Sequence, residues 1–126
     1  MNLPNEPENW EAKRVAEKFR SADAVIGEEN VDYVAFIYMN LEQAIYWLPR
    51  FLEYLRAAAP RDSFHFESII IRLSHADWVS EFRRVATPET QTVVRNFLTW
   101  LNDQPIMAGA PDLRRTAYTR AVELWK

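Results

Sequence analysis

The sequence predicts an all-α fold, an irregular bundle of about five to seven short helices around a proline-kinked central helix at residues 41–59. Apolar residues recur at helical spacing along most of the chain, and residues 41–59 keep one apolar face throughout. Only two glycines occur in 126 residues, fewer than the tight turns of an all-β protein need. We expect one domain, 1–126, with a polar lead-in at 1–8.

The first helical pattern runs from Asn9 to Gly27. Its apolar stripe consists of Val15, Phe19, Ala22 and Ile26. Gly27 fits the left-handed residue that commonly follows a helix. Trp10 lies off the stripe, so it either folds back on another element or is exposed.

Residues 28–39 contain a nine-residue apolar run from Val31 to Met39. Its β-branched and aromatic content allows a strand, and a run this short cannot be assigned by periodicity. A lone strand would have no partner in a helical chain. We therefore favour a short helix or irregular structure here.

The central stretch, 41–59, carries a wide apolar arc that indicates contact with more than one neighbour. Asn40 and Gln43 form a capping box at its start, and Pro60 marks its end. Pro49 falls toward the polar side of the helix, and the apolar residues before and after it lie on the same face. One kinked helix is the favoured interpretation, and two helices meeting at Leu48 is the alternative.

Two helices are expected between residues 63 and 86. Ser63 is a suitable N-cap for the first, and Asp77 or Ser74 for the second. The apolar face of the first consists of Phe66, Ile69, Ile70 and Leu73. The second carries Trp78, Phe82 and Val85.

The clearest start signal is Thr87-Pro88-Glu89, which combines an N-cap, a proline at the first helical position and an acid in the first turn. The helix that follows is expected to end near Asn102. A last helix opens at Pro111-Asp112. Its apolar stripe is Leu113, Ala117, Ala121 and Leu124.

The middle of the chain also shows a family resemblance. Residues 46–54 follow the pattern Tyr-x-Leu-Pro-x-Phe-Leu-x-Tyr, and Trp78 and Thr87-Pro88 come later. The remaining matching positions are Leu55, Gln91, Val94, Phe97 and Leu98. Across residues 41–101 the chain resembles an uncharacterised family of small bacterial proteins, classed as a domain of unknown function. The resemblance implies helical structure and no particular activity.

Composition excludes several kinds of function. The chain has no cysteine, which excludes disulfides, thiolate metal sites and cysteine nucleophiles. A net charge of −3 gives no basic face for nucleic acid. The opening MNLPNEPENW lacks the apolar core of a signal peptide, and no run approaches the roughly 20 apolar residues of a membrane span. We expect a cytoplasmic protein without a cofactor, a nucleic-acid partner or a membrane partner.

Two histidines are the candidates for catalysis. His65 starts an H-x-E segment like that of zinc deaminases, but those sites also need cysteines. His75 and Asp77 with Ser74 or Ser80 could form a triad, although no G-x-S-x-G motif is present. A structural or surface role is favoured for both histidines, and a hydrolase-like enzyme is the alternative.

Acidic and basic clusters offer two further candidates. Glu28, Glu29 and Asp32 could bind a cation, but EF-hand spacing is absent and a solvated turn is favoured. An arginine patch for phosphate or an acidic partner would consist of Arg83, Arg84, Arg95, Arg114 and Arg115. Solvated helix faces are the favoured interpretation of these arginines.

Aromatic residues make up 13% of the chain, and four of them lie on the flanks of predicted helices: Trp47, Tyr54, Trp100 and Trp125. Such residues either pack against a second neighbour in the bundle, which is the favoured interpretation, or form an exposed patch. Aromatics and arginine are enriched at protein interfaces. The sequence thus predicts a non-catalytic domain that binds another protein or itself. The candidate partner-binding residues are these four aromatics with Arg83 and Arg84. A small toxin-neutralising immunity protein is an alternative by analogy.

Overall fold

The computed structural model describes residues 7–58, 63–108 and 112–126, which contain seven α-helices, one 3-10 helix and no strand. The helices are α1 (Pro7–Lys18), the 3-10 helix (Asn30–Val34), α2 (Ala35–Tyr38), α3 (Leu41–Ala58), α4 (Ser63–Leu73), α5 (Ala76–Val85), α6 (Pro88–Asn102) and α7 (Asp112–Leu124). The all-α prediction is confirmed. Within the described ranges, no helix is long and apolar enough to cross a membrane.

The central helix, α3, is one continuous helix with Pro49 inside it, as predicted. Its start is the predicted capping box. The Gln43 backbone N–H donates to Asn40 Oδ1 at 2.7 Å, and the Asn40 N–H donates to Gln43 Oε1 at 3.3 Å. Leu48 and Phe51, on either side of the proline, are both buried, while Pro49 is half-buried. Positions 59 and 60, where the end was expected, lie outside the described residues.

The prediction for α1 was wrong at both ends. The helix begins at Pro7, and it ends at Lys18 instead of Gly27. The early end coincides with a distant contact, in which the Phe19 carbonyl accepts the indole N–H of Trp47 at 2.9 Å. In a continuing helix that carbonyl would accept from Asp23, whose N–H donates instead to the Ser21 hydroxyl at 3.2 Å. Residues 1–6 of the expected lead-in lie outside the described residues.

Gly27 is needed for a turn rather than for a helix end. Its φ is +92°, a left-handed conformation that favours glycine. The ring of Tyr54 occupies the space that a Cβ would take, and the Gly27 N–H donates to Asp32 Oδ2 at 2.7 Å. The glycine therefore lets the α1–3-10 connection lie against α3.

The apolar run at 31–39 is helical, as favoured over a strand. Val31, Val34, Ala35 and Phe36 are buried, and the Met39 N–H donates to the Ala35 carbonyl at 2.9 Å. These residues cover one end of the core, where Phe36 meets Phe51 of α3 with ring centroids 4.8 Å apart.

The later helices follow the predicted pattern with three exceptions. Neither Asp77 nor Ser74 caps α5; His75 does, and its Nδ1 accepts the Trp78 N–H at 3.5 Å. Val85 and Leu113 are exposed, because each lies in an end turn of its helix, beyond the buried residues.

Other predicted positions in this half are confirmed or lie outside the described residues. The Thr87 hydroxyl caps α6 by accepting the Thr90 N–H at 3.2 Å, and α6 ends at Asn102, as predicted. The Ser63 side chain and Pro111 lie outside the described residues.

Candidate protein-binding surface

Two of the predicted partner-binding aromatics are covered by the chain itself. Trp47 is 3% exposed and donates its indole N–H to the Phe19 carbonyl. Trp125 is fully buried and donates its indole N–H to the Leu73 carbonyl at 3.0 Å. Each indole therefore packs against a second neighbour within the bundle, the first of the two outcomes expected for flank residues, and neither offers a contact surface.

The other two aromatics, Tyr54 and Trp100, are half-buried and lie in different environments. Tyr54 packs against Gly27. Trp100 stacks on Phe66 with centroids 6.2 Å apart, and the Arg56 guanidinium lies 5.3 Å from its ring centroid. The four predicted aromatics thus do not form one surface.

Arg83 is also used within the chain. Its Nε donates to Gln91 Oε1 at 2.9 Å, and its Nη1 donates to the Leu124 carbonyl at 2.6 Å. Arg84 is exposed, and the two arginines line the same open depression beside Ser80. Arg83 therefore secures the end of α7, and only Arg84 of this pair is free to reach outward.

The remaining arginines of the proposed patch bind backbone carbonyls. Arg95 donates to the Trp125 carbonyl at 3.4 Å, Arg114 to that of Ile106 at 3.2 Å, and Arg115 to that of Met107 at 3.1 Å. Their guanidinium groups fasten the end of the chain and the loop before α7. These contacts agree with a structural role.

The candidate catalytic residues are engaged in local structure. His75 caps α5 through Nδ1, and the Ser74 hydroxyl is buried and donates to the Ile71 carbonyl at 2.7 Å. Asp77 and Ser80 are exposed on α5. The His65 side chain lies outside the described residues. In the part of the chain that the structure describes, no three histidine or carboxylate groups are grouped as metal ligands.

The acidic cluster after Gly27 is largely neutralised by lysine and arginine of α1. Asp32 is buried, and both its oxygens accept from Lys18 Nζ at 2.8 Å. Glu29 pairs with Arg14, whose Nε donates at 2.8 Å. Glu28 is exposed. These pairs attach the 3-10 helix to α1, so the cluster has a structural use that the solvated-turn interpretation did not include.

An apolar groove lies where the 3-10 helix and α2 meet α4. Its walls include Tyr33 and Ile37 on one side and Ile71 on the other, around a volume of about 280 Å³. These side chains are 44%, 55% and 50% exposed. The Ser68 hydroxyl donates to the Tyr33 carbonyl and joins the two walls. The groove is therefore built on fixed elements.

Trp10 of α1 extends this groove into a larger surface. It is 57% exposed, and it lines the adjoining depression together with Tyr33. We call Trp10, Tyr33, Ile37 and Ile71 the apolar surface. All four side chains are about half exposed, and exposed apolar patches on soluble monomers are often functional.

Local sequence explains why these residues face outward. Ile71 follows Ile69 and Ile70, which are both buried, and three consecutive helical residues cannot all face one core. Tyr33 and Ile37 are four residues apart, so they share one side of a helical segment. Trp10 lies off the buried stripe of its helix. The apolar runs contain more residues than the core can bury, and this excess indicates an exposed apolar surface. Of the four residues, only Trp10 was expected from the sequence to be exposed or to fold back on another element.

Two charged residues line the groove. Glu67 accepts a hydrogen bond from Arg114 Nη2 at 3.4 Å. Arg72 is half-buried, and its guanidinium lies 5.8 Å from the Trp78 ring centroid. Burial lowers the pKa of Arg72 below its ordinary value. No carboxylate of the described residues lies within ion-pair distance of Arg72, so those residues leave its positive charge in the groove without a counterion.

Comparison with family models, curated proteins and solved structures found no match to this chain. The resemblance of residues 41–101 to a family of unknown function therefore stays a prediction.

Proposed function

We propose that this chain is a non-catalytic protein-binding domain and that its apolar surface contacts the partner. The observation that carries the proposal is the shared exposure of Trp10, Tyr33, Ile37 and Ile71 along one groove and the depression beside it. Burying such side chains in a complex is favourable, and aromatic residues are enriched at protein interfaces. The fixed walls of the groove lower the ordering cost of binding.

The size of the surface favours another protein over a second copy of this chain. A standard interface buries about 800 Å² on each partner, and obligate homodimers bury more and are more hydrophobic. Four half-exposed side chains are far fewer than the roughly 20–30 residues that a standard interface uses on each partner, which suits the central part of a non-obligate interface with a polar rim. In this proposal the protein acts in the bacterial cytoplasm.

We expect the double substitution Ile37→Ser with Ile71→Ser to abolish partner capture from a lysate while leaving the fold intact. Both side chains are about half exposed, so each substitution should lower the free energy of unfolding by only about 1 kcal/mol, and circular dichroism should show the native helical signal. The measurement is quantitative mass spectrometry of proteins retained by the immobilised chain. Light scattering at several concentrations reports whether a second copy binds instead.

The matched control is Val85→Ser with Val93→Ser, which removes two exposed aliphatic side chains from α5 and α6. This variant should retain the same proteins as the wild-type chain. Equal loss of capture from both double variants would contradict the proposed surface, as would a capture profile that neither variant changes.

A further inference from the structure

We propose that the groove between α2 and α4 accepts an amphipathic helix of the partner that places an aspartate or glutamate against Arg72. This inference rests on the proposed function, since it names the partner chemistry for the same surface. The geometry of the walls indicates a helix, and the charge within the groove indicates the acid.

A helix suits this groove better than an extended strand. Both walls consist of helical segments, and the described residues contain no sheet edge to which a strand could add. The Ser68–Tyr33 hydrogen bond uses one backbone carbonyl at the wall. Side-chain contacts must therefore supply the affinity, and an amphipathic helix presents apolar anchors at i, i+3 or i+4 for this purpose. Tyr33 and Ile37 have the matching spacing of one turn.

Arg72 supplies the charge that selects the partner. It follows Ile71 directly and lines the groove, so a ligand seated on Ile71 comes close to the guanidinium. Glu67, the other charged residue of the groove, already pairs with Arg114. A half-buried cation that no carboxylate of the described ranges pairs gains most from a carboxylate that arrives in the same desolvated contact. A basic partner residue would instead add a second positive charge beside Arg72.

The test uses a display library of amphipathic helices with fixed apolar anchors and flanking positions randomised among Asp, Glu, Lys, Arg and Ser. Selection is carried out in parallel on the wild-type chain, on Arg72→Glu and on Arg72→Gln. The wild-type chain should enrich helices with Asp or Glu at one flank, and Arg72→Glu should enrich Lys or Arg at that same position. An acidic helix from the wild-type selection should bind Arg72→Glu at least about tenfold more weakly.

Arg72→Gln keeps most of the side-chain length without the charge, and it tests the proposal if the reversed charge disturbs folding. It should enrich the same apolar anchors with no charge preference. The Ile37→Ser, Ile71→Ser variant serves as the background selection. Enrichment that depends on Ile37 and Ile71 but ignores the charge at position 72 would overturn this inference and leave the proposed function standing. Absence of any helix enriched over the background would also overturn this inference, whereas partner capture by the Ile37→Ser, Ile71→Ser variant decides the proposed function.

Discussion

Replacement of Asp32 by alanine is expected to lower the free energy of unfolding by about 3 kcal/mol, because it leaves the buried Lys18 ammonium with only Glu29, whose Oε1 lies 4.0 Å away, as a counterion. The Asp32 side chain is fully buried and that of Lys18 is 7% exposed. Asp32 accepts two hydrogen bonds from Lys18 and one from the Gly27 N–H, so its loss affects both α1 and the turn beside it. The 3-10 helix carries Tyr33, so the apolar surface depends on the same pair.

Urea unfolding followed by circular dichroism measures this loss. Glu28→Ala removes an exposed carboxylate four residues earlier and should change stability by less than about 0.5 kcal/mol. Asp32→Leu combined with Lys18→Met removes both charges and should be more stable than Asp32→Ala, since no ion stays buried alone. A loss below about 1 kcal/mol for Asp32→Ala would show that this pair does not hold α1 to the 3-10 helix.

Replacement of Trp125 by alanine is expected to cost about 3–5 kcal/mol, as is usual for a large aromatic side chain removed from a core. Trp125 is fully buried and meets Phe82 with ring centroids 5.8 Å apart. Its indole N–H donates to the Leu73 carbonyl, and the Arg83 guanidinium lies 6.0 Å from its ring centroid. The substitution thus creates a cavity and leaves a carbonyl of α4 without its donor.

Trp10→Ala is the matched control, because the same residue type is 57% exposed on α1. Thermal and urea unfolding should place this variant within about 1 kcal/mol of the wild-type chain. The loss of stability for Trp125→Phe should lie between those of Trp125→Ala and Trp10→Ala, since phenylalanine keeps most of the packing but loses the hydrogen bond. Equal effects of the two alanine substitutions would contradict the burial that distinguishes these tryptophans.

The starts of α3 and α6 could be predicted because their signals are local. Asn40 and Gln43 satisfy each other's backbone N–H groups, the Thr87 hydroxyl accepts the Thr90 N–H, and both caps form as expected. The end of α1 could not be predicted in this way. It coincides with a contact from the indole of Trp47, which lies 28 residues along the chain from the carbonyl that it binds.

The difference between local signals and distant contacts also explains why some predicted partner-binding residues are buried. Helical spacing shows which residues share a face, but it does not show which face another element covers. Trp47 and Trp125 lie on flanks that neighbouring segments bury, whereas Ile37 and Ile71 belong to apolar runs that contain more residues than the core can accept. Counting apolar residues against available core positions would have directed attention to residues 31–39 and 69–71.

Site-directed photo-crosslinking tests the central claim, that the apolar surface binds another protein, most directly. A photoreactive amino acid is placed at Ile37, and at Val93 of α6 as the exposed control, and each chain is irradiated in a lysate. We expect a covalent adduct with a distinct partner protein from position 37 and none of that adduct from position 93. Adducts of equal yield at both positions, or none at position 37, would contradict the account.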